Sequence, residues 1–136
     1  MPRLLGIDYG KKRTGIAETD DMQIIASGLT TVETPKLIDF LQAYFNQHEV
    51  EKLVIGESLN LEGKHNSIEK DIVLFIKRIH KLFPAIEIVR EDERYTSKMA
   101  FKSMIQGGLK KKKRRNKAMI DQISAALILQ SYLYEK

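Results

Sequence analysis

The chain has 136 residues, of which 43% are hydrophobic and 30% are charged, a composition typical of a globular protein with a sizeable core. It contains no cysteine, which excludes disulfides and thiolate metal sites, and no apolar run near the ~20 residues that cross a bilayer. The net charge is +5, from 23 basic and 18 acidic residues. We therefore expect one domain over residues 1–136, located in the cytoplasm and without a membrane partner.

The first predicted elements are three short strands joined by turns. Residues 4–7 form an apolar strand that ends in Asp8, and further strands are predicted over 14–17 and 22–32, with Gly28 marking a bulge. Because the connections are short, we expect these three strands to form an antiparallel meander. Asp8 is either a polar turn residue or a functional acid at the rim of the sheet.

The middle of the chain alternates helices with strands. Apolar stripes predict helices over 34–48, where Thr34 is the expected N-cap, and over 66–84, and buried strands are predicted over 52–56 and 86–90. Strands that each follow a helix are typically parallel to a neighbour. The pattern therefore predicts an α/β fold in which the first three strands are antiparallel and the remainder parallel.

The last third of the chain carries the most uneven charge. A short helix is predicted from Thr96 or Ser97 towards Gly107, and a long helix over 117–134 closes the chain. The stretch from Gly107 through Lys117 contains seven basic residues and no acid, whereas the rest of the chain is close to neutral. Such a block attracts polyanions through counterion release, although a solvated loop has the same composition.

Acidic residues follow three of the predicted strands. Asp8, Glu57 and the cluster 91–93 stand at the carboxyl ends of strands, where open α/β sheets place their functional crevice. Asp121 lies on the final helix, on a face that 124–128 marks as core-facing. Alternatively, Asp121 forms a salt bridge to Lys117 or Arg94, or is an exposed acid of the first helical turn.

Carboxylates that converge repel one another unless a cation neutralises them. Oxygen ligands without cysteine indicate a hard cation, Mg²⁺ or Mn²⁺, and two such ions can activate a water and stabilise the leaving oxygen of a phosphodiester. An acidic cluster beside a basic rim is the charge layout expected of a metal-dependent nuclease.

Three motifs carry a family resemblance that covers essentially the whole chain. They are Gly6-Ile7-Asp8-Tyr9-Gly10 with Thr14-Gly15-Ile16-Ala17, Asp92-Glu93-Arg94 with Thr96-Ser97, and the segment that begins Asp121-Gln122-Ile123-Ser124. Together they closely resemble the YqgF family, bacterial RNase H-like proteins related to the RuvC type of Holliday junction resolvase. The resemblance implies an RNase H-like five-stranded mixed sheet with helices on both faces and a divalent-metal nuclease site.

By motif, the resemblance carries over Asp8, Glu93 and Asp121 as the acidic triad. Asp8 is expected to bridge two Mg²⁺ or Mn²⁺ ions, with Glu93 and Asp121 each holding one. Many family members have Gly-Leu-Pro where this chain has Gly56-Glu57-Ser58, and RuvC-type resolvases have an acid near this point. Glu57 is therefore either a fourth metal ligand or a loop acid that faces water.

The resemblance also implies a metal-dependent endonuclease that matures the 5′ end of pre-16S rRNA, with DNA junction resolution as the older proposal. We expect structured RNA or branched DNA as the partner, and a monomer or weak homodimer. The expected phosphate contacts are Lys11, Lys12, Arg13, Lys110, Lys111, Lys112, Lys113, Arg114 and Arg115. Two alternatives are a non-catalytic RNA-binding assembly factor and an actin-like or sugar-kinase ATPase, which would need a second such domain.

Overall fold

The structure is a computed structural model that describes residues 2–59, 62–93 and 117–135. Within these ranges, five strands form one sheet in the order β3-β2-β1-β4-β5. The strands are β1 (Arg3–Asp8), β2 (Arg13–Thr19), β3 (Ala26–Glu33), β4 (Val50–Glu57) and β5 (Glu87–Asp92). The described helices are α1 (Leu37–Gln47), α2 (Glu69–Leu82) and α3 (Lys117–Glu135), and a 3-10 turn over Thr34–Lys36 precedes α1.

The sheet is mixed, as the sequence predicted. β1 pairs antiparallel with β2, and β2 with β3, because short turns join these strands. β4 lies parallel to β1 and β5 parallel to β4, since a helix carries the chain back before each of them. The carboxyl ends of β1, β4 and β5 therefore meet at one edge of the sheet.

Helices cover both faces of this sheet and divide the apolar core in two. Leu5 and Ile7 of β1 pack on one face with buried residues of α1 and α2. Leu4 of the same strand packs on the other face with Ala125, Ile128 and other residues of α3. Because successive side chains of a strand point to opposite faces, each strand serves both cores.

Two local predictions were wrong. β3 begins at Ala26 rather than at residue 22, because Oδ1 of Asp20 accepts hydrogen bonds from the backbone N–H groups of Ile24 (2.8 Å) and Ile25 (3.1 Å) and closes a turn. Thr34 does not cap a helix, since its hydroxyl donates to the carbonyl oxygen of Gly10 at 2.6 Å. The predicted irregularity near Gly28 is confirmed by a register shift between β2 and β3.

Some predictions fall on the rest of the chain. The helix expected from Thr96 or Ser97 and the basic run Lys110 to Arg115 lie outside the described residues. In the part of the chain that the structure covers, none of the helices combines the length and the apolar character that a bilayer span requires.

Candidate active site

Asp8 lies at the carboxyl end of β1 and shares the sheet face of Leu4, the face that α3 covers. Helix α3 crosses this strand very closely. A Cβ placed on Gly6 would lie only 2.7 Å from the carbonyl oxygen of Ala125 and 2.8 Å from Cβ of Leu129. The glycine in the middle of β1 therefore allows α3 to lie directly on the strand that ends in Asp8.

Asp121 reaches Asp8 because the neighbouring strand also has a glycine at the crossing point. Gly15 of β2 is the cross-strand partner of Asp8. A Cβ on Gly15 would overlap the backbone carbonyl of Asp121 and lie 3.0 Å from its Cβ. Any larger residue at position 15 would push the first turns of α3 away from the sheet. The Thr14-Gly15-Ile16-Ala17 motif therefore has a steric function at the site.

Glu93 enters the same space from the end of β5. Its backbone N–H donates to the carbonyl oxygen of Glu57 at 3.2 Å, which continues the parallel pairing of β4 and β5 by one residue. Its carboxyl group lies against Gly56, where a Cβ would be 2.8 Å from Cδ of Glu93. The side chains of Glu93 and Asp8 form a hydrogen bond. The structure thus brings Asp8, Glu93 and Asp121 together at one edge of the sheet.

The electrostatics of this cluster follow from burial and crowding of like charges. Burial raises the pKa of Asp8 well above its usual range, and the charges of Glu93 and Asp121 and the hydrogen bond to Glu93 raise it further. Burial also raises the pKa of Glu93, although the hydrogen bond from Asp8 and the charge of Arg90 oppose this increase. Both shifts favour a proton shared within this buried pair, with Asp8 as the hydrogen-bond donor to Glu93.

Asp121 has a different counter-ion. Its Oδ2 accepts a hydrogen bond from Nε of Arg13 at 3.1 Å, and both side chains remain partly exposed. The sequence had suggested Lys117 or Arg94 as the partner, and neither of those side chains is described. Three basic residues follow β1. Lys11 and Lys12 are exposed to solvent, whereas Arg13 is half-buried against the acidic cluster.

Glu57 is not brought into the cluster. It follows Gly56 in β4, and strand alternation directs it to the opposite face of the sheet. There its Oε2 lies 3.0 Å from Nε2 of His65. The acids at the end of β5 also differ in their surroundings. Glu91 is buried under α3, where its Oε1 accepts a hydrogen bond from the hydroxyl of Ser131 at 3.0 Å.

An ion pair that the sequence did not predict supports the site. Arg90 of β5 and Glu69 of α2 form a two-pronged pair, and Nη2 of Arg90 also donates to the carbonyl oxygen of Gly56 at 2.9 Å. Burial by itself would raise the pKa of Glu69, but hydrogen bonds from Arg90 and from the backbone N–H of Ser58 lower it overall. The available signal was a basic residue directly after the apolar pair Ile88-Val89 of β5. The pair holds the end of β4 against which Glu93 rests.

The donor set fits a hard divalent cation. It consists of carboxylate oxygens alone, and its negative charge is balanced by one shared proton and one guanidinium. Among the described residues, no three His, Asp or Glu side chains already stand in the compact arrangement of a metal cage. A cation at this position would therefore replace the proton of Asp8 and the contact between Arg13 and Asp121.

Comparisons with known proteins agree with this architecture. A 135-residue segment is 54% identical to a protein of Christiangramia forsetii named "Putative pre-16S rRNA nuclease", covering 99% of this chain and 100% of that protein. A protein of Flavobacterium johnsoniae with the same name is 53% identical over 136 residues, which is 100% of this chain and 99% of that protein.

A solved structure has the same fold at low sequence identity. RuvC of T. thermophilus in complex with a Holliday junction substrate superposes with a TM-score of 0.60 at 16% identity, covering 98% of this chain and 94% of that one. The fold is therefore RuvC-like, that is, RNase H-like. The sequence profile described as RuvX, Holliday junction resolvase, matches residues 2–135. This chain belongs to the RuvX family.

Proposed function

We propose that this chain is a metal-dependent endonuclease that hydrolyses phosphodiester bonds of structured nucleic acid, acting as one RNase H-like domain over residues 1–136. The observation that carries the proposal is the convergence of Asp8, Glu93 and Asp121 on one face at the carboxyl edge of the sheet. Two buried acids with a third, half-buried acid beside them are costly without a cation, and this cost favours metal binding. The names of the relatives and the fold of the junction-bound RuvC support the same reaction class.

Asp8, Glu93 and Asp121 would hold Mg²⁺ or Mn²⁺, two ions in the active complex. When bound, the metal supplies an activated water and stabilises the leaving oxygen. Asp8 ends the central strand of the sheet, which has a neighbouring strand on each side and is the most rigid support in the site. Asp8 is therefore the residue best placed to contact both ions. Glu93 and Asp121 flank it from the end of β5 and from α3.

The chain's own groups prepare the site for substrate. Asp8 must lose its proton and Asp121 must separate from Arg13 before the carboxylates can ligate a cation. Lys11 and Lys12, exposed on the turn after β1, are positioned to meet phosphates of the bound strand. The segment Lys110 to Arg115 remains a sequence-based expectation for the same role.

The biological substrate we propose is the 5′ extension of pre-16S rRNA, because the relatives of highest identity given above carry that name. The alternative is cleavage of four-way DNA junctions, which the family description and the RuvC complex favour. A third possibility is an RNA-binding assembly factor without catalysis. The three differ in what is cut, and a direct assay separates them.

The assay incubates the purified chain with a 5′-extended rRNA precursor and, separately, with a four-way DNA junction, in Mg²⁺, Mn²⁺ or EDTA. We expect metal-dependent cleavage of the rRNA that is lost in Asp8→Asn and kept in Asp21→Asn, a matched change of an exposed acid remote from the site. Cleavage of the junction alone would favour the resolvase. Binding without cleavage under any condition would favour the assembly factor and contradict the proposed activity.

The same assay bears on oligomeric state. Paired, symmetric incisions of a junction require two active sites, whereas rRNA processing requires one. We propose a monomer or weak homodimer that acts on RNA in the cytoplasm, and sedimentation of the chain across a concentration series tests the first part of this statement.

A further inference from the structure

A cleft of about 430 Å³ opens on the side of the sheet edge opposite to Asp8. It lies between the turn after β1, the start of α1 and one side of α2, and we call it the Tyr9 cleft. Tyr9 packs with the α1 and α2 core, whereas Asp8, the preceding residue, faces α3. The cleft therefore begins one residue away from the proposed active site, across the rim of the sheet.

The lining of the Tyr9 cleft combines an apolar floor with charged edges. Tyr9 and Phe75 pack ring against ring, with centroids 5.2 Å apart, and Leu37 is buried beneath the start of α1. Four charged side chains of both signs complete the lining, namely Lys11, Arg78, Asp39 and Asp71. No ion pair joins any of these four to another described residue.

This combination matches the chemistry of a nucleotide. An aromatic, apolar floor accepts the face of a base, because base–aromatic stacking tolerates any base. Carboxylates only accept hydrogen bonds, so Asp39 and Asp71 suit the exocyclic amino groups of guanine, adenine or cytosine, which uracil lacks. Lys11 and Arg78 suit the phosphate that accompanies the base. A purely anionic ligand would leave both aspartates without a function.

The turn that carries one wall of the cleft is held in place. The hydroxyl of Thr34 donates to the carbonyl oxygen of Gly10 at 2.6 Å, and the backbone N–H of Thr34 donates to the carbonyl oxygen of Lys12 at 2.9 Å. These bonds join the turn after β1 to the start of α1, which is the opposite wall. The distance from the cleft to Asp8 is therefore set by the fold before any ligand binds.

We propose that the Tyr9 cleft receives one unstacked nucleotide of the same strand whose phosphodiester lies at Asp8, and prefers a base with an exocyclic amino group. This proposal rests on the proposed nuclease function and extends it with a subsite for a base. An enzyme that reads one extruded nucleotide beside the scissile bond would select the cleavage position through shape and stacking rather than through pairing.

The experiment uses a 5′-extended rRNA precursor with 2-aminopurine or an abasic residue at successive positions around the cleavage site, in Ca²⁺ to measure binding and in Mg²⁺ to measure cleavage. One position should show 2-aminopurine fluorescence that changes on binding, and an abasic residue there should weaken binding about tenfold. Both effects should persist in Tyr9→Phe and disappear in Tyr9→Leu. An RNA with uracil at that position should bind more weakly than one with cytosine there, and Asp71→Asn should reduce this difference in affinity.

A second variant keeps the test valid where Tyr9→Leu disturbs folding. Arg78→Gln changes an exposed side chain and should weaken binding of the normal RNA several-fold more than binding of the abasic RNA. Normal cleavage with no responsive position, or with equal responses in Tyr9→Leu and Tyr9→Phe, overturns the cleft proposal and leaves the nuclease intact. Failure of the wild-type chain to bind or cut any of these RNAs overturns both.

Discussion

Nε of Arg13 lies 3.1 Å from Oδ2 of Asp121, so the first residue of β2 supplies a positive charge to the acid on α3. The side chains are 40% and 25% exposed, and a partly exposed pair of this kind contributes at most about 1 kcal/mol. The contact is therefore strong enough to orient Asp121 and weak enough for a divalent cation to replace it.

Arg13→Gln should increase the affinity for Mn²⁺. The guanidinium competes with the metal for Asp121, and its removal should tighten binding about threefold to fivefold, the equivalent of roughly 1 kcal/mol. Isothermal titration with Mn²⁺ measures the change. Lys12→Gln removes a neighbouring exposed charge and controls for the general loss of repulsion, so equal effects of the two variants would contradict direct competition.

Asp8→Asn should stabilise the protein when EDTA removes divalent metal. The pKa of Asp8 is raised in the folded state above its ordinary value of 3.8, so the folded chain binds a proton that the unfolded chain releases. Wild-type stability should therefore fall as the pH rises from about 4 through the folded pKa, by about 1.4 kcal/mol for each unit of elevation. The amide carries no such penalty.

Thermal unfolding of wild type and Asp8→Asn in EDTA between pH 4 and pH 8 tests this prediction. The melting temperature of the variant should increase relative to that of wild type as the pH increases. Near pH 4 the two melting temperatures should approach each other. Excess Mg²⁺ should reverse the order at neutral pH by stabilising wild type alone. A difference that is independent of pH would show that Asp8 is ionised in the metal-free protein.

Gly15→Ala should separate Asp121 from Asp8. The added Cβ would overlap the carbonyl of Asp121, and relief by movement of α3 should cost about 1–3 kcal/mol of stability and at least tenfold in metal-dependent cleavage. Gly28→Ala is the matched control under the same helix, because its Cβ would lie 3.2 Å from Cβ of Gln122, a contact that a shift of a few tenths of an ångström relieves. Urea unfolding and cleavage rates should show a clearly smaller effect for the control.

Arg90→Met should be strongly destabilising, because it leaves the buried carboxylate of Glu69 without its guanidinium. Removal of one partner of a buried pair typically costs about 3–5 kcal/mol, whereas replacement of both can be nearly neutral. Urea unfolding should therefore give a larger free energy of unfolding for the double variant Glu69→Leu/Arg90→Met than for the single variant Arg90→Met. A double variant as unstable as Arg90→Met would mean that the pair acts mainly through the backbone carbonyl of Gly56.

Glu57→Gln and Glu93→Gln should differ in metal binding. Glu93 shares a face with Asp8, whereas Glu57 lies on the opposite face beside His65. We expect the affinity for Mn²⁺ to fall at least tenfold in Glu93→Gln and to change little in Glu57→Gln. A comparable loss in both variants would bring Glu57 back as a fourth ligand.

Much of this architecture was predictable because it depends on local patterns. The apolar strands, the two helical stripes and the short turns are set by residues close together in sequence, and they determine a mixed sheet with the acids at strand ends. The close approach of α3 to the sheet was also signalled, because Ser124, Ala125 and Ala126 are small. Boundaries were less accurate where a side chain such as Asp20 formed a turn that propensity does not reveal.

The arrangement of the site was a matter of tertiary structure. Glu57 ends β4 and Glu93 directly follows β5, yet only Glu93 meets Asp8. Glu57 is paired with Asp92, so Glu93 lies one residue further along and its side chain points to the opposite face of the sheet. The contacts of Arg13 with Asp121 and of Arg90 with Glu69 join residues far apart in sequence. By itself, the sequence determined the order of elements and the supply of acids at one edge. Packing of α3 onto glycines of the sheet decided which acids meet, since spacing between distant segments exists only in the folded chain.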